Sequence, residues 1–167
     1  MRMKRQQRGF TLIEMLVYIA VFVLISSALV VTFLSFNTTF VRNQTERALT
    51  QEARVALDTV IAAVKHADTV DGAQSLLNVS PGILELESGA TTTRFYISSG
   101  ALVYAINGTE IGPLTSNAIV VESVVFQRYV GTTTDMIRMA LTLHAESKVA
   151  SSTRTFYTSA IMRGTYE

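Results

Sequence analysis

The chain is expected to fold as α+β, with one long N-terminal helix, half membrane-embedded and half amphipathic, packed on an antiparallel β-sheet head. Three observations predict this. Residues 15–36 carry no charge. Glycine is missing from Phe10 to Asp71 and the first proline is Pro81, so no strong helix breaker interrupts that stretch. From Asn78 onward, apolar residues recur with a period of two between Gly, Asn and Pro punctuation. A length of 167 residues suits one domain beside a membrane span. The expected divisions are a basic leader over 1–9, a membrane helix over 10–36, an amphipathic half-helix over 37–71 and a β-rich head over 72–167.

The first element is a span. Its 22 uncharged residues are enough, because a hydrocarbon core takes about 20 apolar residues at 1.5 Å rise each. Arg2, Lys4, Arg5 and Arg8 precede it with no acid among them. The positive-inside rule then keeps the N-terminus cytoplasmic and sends the rest outward. A secretory signal peptide fits less well. Its apolar core would run about 7–15 residues and end at a small-x-small cleavage site. Ser26-Ser27-Ala28 is a faint candidate for such a site, yet the apolar run continues to Phe36. A plain signal anchor explains the orientation but not Glu14.

Glu14 is an acid just inside the span. A carboxylate in a membrane helix costs about 2.5–3.5 kcal/mol on insertion scales, so it usually has a partner. Position offers one relief, since the start of a helix favours negative charge and the interface is near. On that reading Glu14 is an interfacial helix-start residue and nothing more.

The run Arg8-Gly9-Phe10-Thr11-Leu12-Ile13-Glu14, with its basic leader and long apolar continuation, resembles the type IV prepilin signature. Pilins share it with the pseudopilins of type II secretion and DNA-uptake systems. The resemblance implies that prepilin peptidase cuts between Gly9 and Phe10 and methylates the new amine of Phe10, which stays cationic. It implies a second role for Glu14, pairing with the amine of a neighbouring subunit to set axial register in a filament. The implied partners are prepilin peptidase, other pilins or pseudopilins, an inner-membrane assembly platform and membrane lipid. Val17-Tyr18-Ile19-Ala20-Val21-Phe22 resembles minor pseudopilins of the J type and related minor pilins, and Val31 stands where many major subunits carry proline. The implied role is a minor subunit of a type IV pilus or secretion-like pseudopilus, in a tip or initiation complex.

The second half of the helix should carry one apolar stripe. Leu49, Ala53, Ala56, Leu57, Val60, Val64 and Ala67 recur at three- and four-residue spacings, with Arg47, Glu52, Arg54, Asp58 and Lys65 elsewhere around it. Unbroken from Phe10 to Asp68, the helix would have about 59 residues and measure roughly 88 Å. Asp71-Gly72 is the expected stop, with glycine as cap or turn residue.

Six strands should follow, near 83–87, 92–98, 101–106, 119–129, 136–146 and 153–163. Ser80-Pro81-Gly82 reads as a turn before them, and Gly89, Gly100, Asn107-Gly108, Gly112-Pro113 and Gly131 read as separators. Ile137, Met139, Leu141 and Leu143 alternate with Arg138, Thr142 and His144, as in an antiparallel strand with one face on a core. The sheet is expected to be single or split in two.

Composition narrows the function. Cysteine is absent, which rules out disulfides, thiolate zinc sites and cysteine nucleophiles. Four of 14 basic residues lie in the leader, and the remaining ten face 13 acids, about −3 overall. Nucleic acid is therefore not an expected partner. Enzyme chemistry has no visible constellation: His66 and His144 lack metal spacing, Ser98-Ser99-Gly100 is no nucleophile elbow, and Glu85 and Glu87 read as solvated. His66 should meet the last helix carbonyls, and His144 should face solvent. No metal or other cofactor is expected. A second class stays open, a minor pilin whose head binds DNA or a surface receptor. It would need Arg94, Arg128, Arg138 and Arg154 to align into one patch.

Overall fold

The structure is a computed structural model that describes residues 11–131, 134–146 and 151–163. Among these residues helix α1 runs Leu12–His66 and is followed by eight strands. The chain divides into two compact units, Met1–Phe40 and Val41–Glu167.

Thr11 starts the helix. Its Oγ1 accepts the Glu14 N–H at 3.3 Å, and its carbonyl accepts the Glu14 and Met15 N–H groups. Thr11-x-x-Glu14 is thus the sequence of a capping box, in which the cap side chain satisfies the third helical N–H. At the other end the helix stops at His66, earlier than the predicted Asp68. Ser88 Oγ donates to the His66 carbonyl at 2.9 Å, and Asp68 N donates to the Glu87 carbonyl at 2.7 Å. Bonds from a distant strand thus take over where the helical ladder ends. Asp71-Gly72 is a later turn, in which Asp71 Oδ1 accepts the Ala73 and Gln74 N–H groups.

Leu49, Ala53, Ala56, Val60 and Val64 are buried along one face of α1, as the periodicity predicts. Leu57 lies at the border of that face, half-buried against the core.

The head holds two antiparallel sheets. The first is a meander in the order β1 (Thr69–Val70), β2 (Leu84–Ser88), β3 (Thr91–Ser98), β4 (Ala101–Ile106), β5 (Thr109–Pro113). The second is β6 (Ile119–Tyr129), β7 (Met136–Glu146), β8 (Ser151–Ile161). The predicted β4, β6 and β7 agree to the residue, β2 and β3 agree within one residue at each end, and β8 lies two residues earlier than expected. Two strands were not predicted. At two residues β1 is too short to show a period. In β5, Gly112-Pro113 occupies the strand instead of separating strands. The proline is tolerated because it closes an edge strand, opposite Val103.

Asn107 and Gly108 both have positive φ, 50° and 76°, as a two-residue primed hairpin turn requires. Ser99-Gly100 repeats the geometry at 51° and 76°. The sheets are stitched by Val121 N to the Gly100 carbonyl, and by Asn78 and Gly82 N–H groups to the Phe126 and Val124 carbonyls. One core joins the α1 stripe to Leu84, Phe95 and Leu102 of the first sheet and to Val124, Phe126, Ile137, Met139, Leu141 and Leu143 of the second.

Candidate functional site

The sequence points to the helix start. Gly9 and Phe10 lie outside the described residues. Glu14 sits in the first turn of α1, on the helix that Thr11 caps. One turn on, the Tyr18 hydroxyl stands 3.5 Å from Glu14 Oε1 and is placed to donate to it. Among the described residues no basic side chain pairs with Glu14. The next basic residue along the chain is Arg42.

The helix around Glu14 is suited to lipid or to other helices. An 18-residue window within α1 reaches a mean hydropathy of 2.6, with none of it buried inside the chain. Leu16, Phe22, Leu24, Leu29, Phe33 and Phe36 are all exposed. Two hydroxyls inside it are satisfied locally: Ser27 Oγ donates to the Leu24 carbonyl and Thr32 Oγ1 to the Ala28 carbonyl, both at 2.8 Å. Hydroxyls that bond back to their own helix need no water, which keeps this surface compatible with hydrocarbon. A carboxylate whose side-chain contact among the described residues is a tyrosine hydroxyl is different. It retains acceptor capacity for a cation supplied from outside the described residues.

Among the described residues the head offers no comparable constellation. The four arginines that a binding patch would need are dispersed. Arg94 pairs with Glu85 across the β2–β3 ladder at 3.7 Å and also lies over the Tyr96 ring. Arg128 Nε donates to Asp135 at 2.7 Å. Arg154 reaches Glu46 on α1 at 2.8 Å. Arg138 covers the Tyr157 ring at 5.4 Å. Three of the four charges are paired with acids, so these arginines do not form one continuous positive patch.

Two further expectations need correction. Glu85 is not a solvated carboxylate. Its side chain is 16% exposed because the cross-strand register sets it against Arg94. His144 does not simply face solvent. It is half-buried, with Nδ1 2.8 Å from Thr153 Oγ1 and 3.5 Å from Glu122. Both contacts come from neighbouring strands, which a single-strand pattern cannot reveal. At His66, the contact at the helix end involves its backbone carbonyl, which Ser88 caps. Among the described residues no three His, Asp or Glu side chains group as metal ligands would. The Tyr96 phenol is held above its usual value of 10.0, chiefly by its hydrogen bond to Glu110.

The capping role of Thr11 is what the sequence reading missed. The signal was present, since a Thr three residues before a Glu at the start of an apolar run is a recognisable helix start.

Residues 4–30 match the family model described as the prokaryotic N-terminal methylation motif. The match takes in Gly9, Phe10 and Glu14 and runs well into the apolar helix. No curated protein and no solved structure matches the chain.

Proposed function

We propose that this chain, a type IV prepilin- or pseudopilin-like protein by its N-terminal methylation motif, serves as a minor structural subunit of a pilus or a secretion-like pseudopilus. The carrying observation is the motif at residues 4–30 continuing into an exposed helix of membrane length. The role is structural rather than catalytic. Prepilin peptidase removes residues 1–9 and methylates the amine of Phe10. The product is anchored once in the inner membrane, with the leader side cytoplasmic and the head outside. Its membrane helix then enters a filament of other pilins or pseudopilins through the assembly platform.

Charge supports the role of Glu14. A methylated amine remains cationic, and Glu14 is the one acid between Arg8 and Arg42. An amine and a carboxylate from two subunits, meeting in lipid, lose much of their desolvation cost only when paired, so their pairing would set axial register. Placement among minor, tip-located subunits rests on the resemblance of residues 17–22 to the J type. The alternative of a DNA-binding head has little support, because the acids beside Arg94, Arg128 and Arg154 cancel the field that would attract phosphate.

N-terminal mass analysis of the chain from cells that contain the peptidase tests this reading. Methylated Phe10 is expected as the first residue. A Gly9→Leu variant should remain full length, because a side chain there obstructs the scissile bond. An unprocessed N-terminus in the unaltered chain would sink the proposal.

A further inference from the structure

The second sheet ends on an open edge. β8 pairs with β7 along its whole length, from Met136↔Ile161 to Glu146↔Ser151, and among the described residues no strand pairs with its other side. Among the described residues every other sheet edge is short or covered. β1 has two residues. β5 has five, with a register shift on its partner and a terminal Pro113. The outer side of β6 exchanges hydrogen bonds with Asn78, Gly82 and Gly100. These are the usual devices against edge-to-edge pairing. β8 has none of them. Its 11 residues contain no Pro, Gly or Lys, and its register on β7 carries no bulge. It also displays large apolar side chains, with Tyr157 63% and Ile161 59% exposed.

We propose that β8 is an assembly edge that pairs antiparallel with β8 of a second copy of this chain, joining two three-stranded sheets into one of six strands. The strand is complementary to itself. A full-length register about Phe156 sets Tyr157 opposite Thr155, Arg154 opposite Thr158 and Ser151 opposite Ile161 of the second copy. No charge then faces a like charge. Tyrosine against a β-branched residue is a favourable cross-strand pair, and the two Tyr157 rings stand on the diagonal within reach of each other. Arg154, the one charge in the strand, is already held by Glu46 and needs no new partner. Both copies share one membrane, so their encounter occurs at raised effective concentration.

The chain contains no cysteine, so single replacements give a clean readout. Thr153→Cys, Thr155→Cys, Tyr157→Cys and Ser159→Cys would be placed singly in the full chain in membranes and treated with a short bis-maleimide. Dimer-mass adducts are expected, strongest and similar for Thr155→Cys and Tyr157→Cys, and severalfold weaker for the outer two. Glu110→Cys on β5 serves as the edge that should not react. Adding Thr155→Lys to Tyr157→Cys should cut the yield severalfold, because two lysines then crowd the same diagonal. Absence of dimer adducts at all four positions, a profile not centred on Phe156, or adducts only to a protein of different mass would overturn the proposal.

Discussion

Glu14 combines a local and a proposed intermolecular role, and the two are separable. As the third helical residue after Thr11 it stabilises the helix start by position. As a carboxylate at the start of an apolar helix, it is proposed to pair with the cationic amine of a neighbouring subunit. Glu14→Ala should leave insertion intact or improved, since a desolvation cost is removed, yet weaken recruitment into the filament. Glu14→Gln keeps the capping geometry and removes the charge, so it should fail in assembly as Ala does. Thr11→Val should cost about 1 kcal/mol of helix stability and leave assembly near normal. Crosslinking between subunits, with processing followed separately, measures all three. Normal assembly in Glu14→Gln would mean that Glu14 only starts the helix. In the head, the Tyr96–Glu110 bond favours the neutral phenol, so its pKa is higher folded than unfolded. Its contribution is therefore intact below the usual phenol pKa and is lost as pH rises through the raised value. Tyr96→Phe should remove that part of the alkaline decline in thermal stability, and an unchanged alkaline limb would show that the bond is silent.

At the scale of elements, the second half of α1 acts through its buried stripe. Val60 is 2% exposed amid the core, whereas Leu57 borders it. Val60→Asp should destabilise the head by about 3 kcal/mol or more, as an unpaired charge in an apolar site does. Leu57→Asp should cost distinctly less, because its carboxylate can turn toward water. Urea denaturation of the two variants gives the ranking, and equal stability to the parent in both would mean that the stripe faces partner subunits instead. The helix end behaves differently. It is set by strand β2, through Ser88 and Glu87, so Ser88→Ala should loosen the last turn by about 1 kcal/mol without touching the stripe. Amide exchange at Val64–Ala67 would register that change.

For the whole molecule, the core residues all lie in the unit Val41–Glu167. A chain truncated to begin at Asn37 retains the stripe and both sheets. It should be soluble and unfold cooperatively. A chain truncated to begin after Gly72 exposes the sheet residues that Leu49, Ala53, Ala56, Val60 and Val64 cover, and it should aggregate. Sedimentation and thermal scans of the two distinguish these outcomes. A soluble, cooperative second fragment would show that the sheets do not depend on the helix.

Local pattern alone determined the main elements of this protein. Lack of charge over 15–36 marks the span, three- and four-residue spacing marks the stripe, and alternation marks β6 and β7, because each signal lies within one segment of chain. The signature around Gly9 and Glu14 was legible for the same reason. The tertiary structure decided what depends on segments far apart in sequence. It ends the helix at His66 through bonds from β2, recruits the two-residue β1, and turns Gly112-Pro113 into an edge strand. It divides the strands into two sheets and assigns Arg94, Arg128 and Arg154 to separate acids rather than to one patch. Such outcomes follow from cross-strand register, in which each residue's neighbours are chosen by pairing partners that no local window contains.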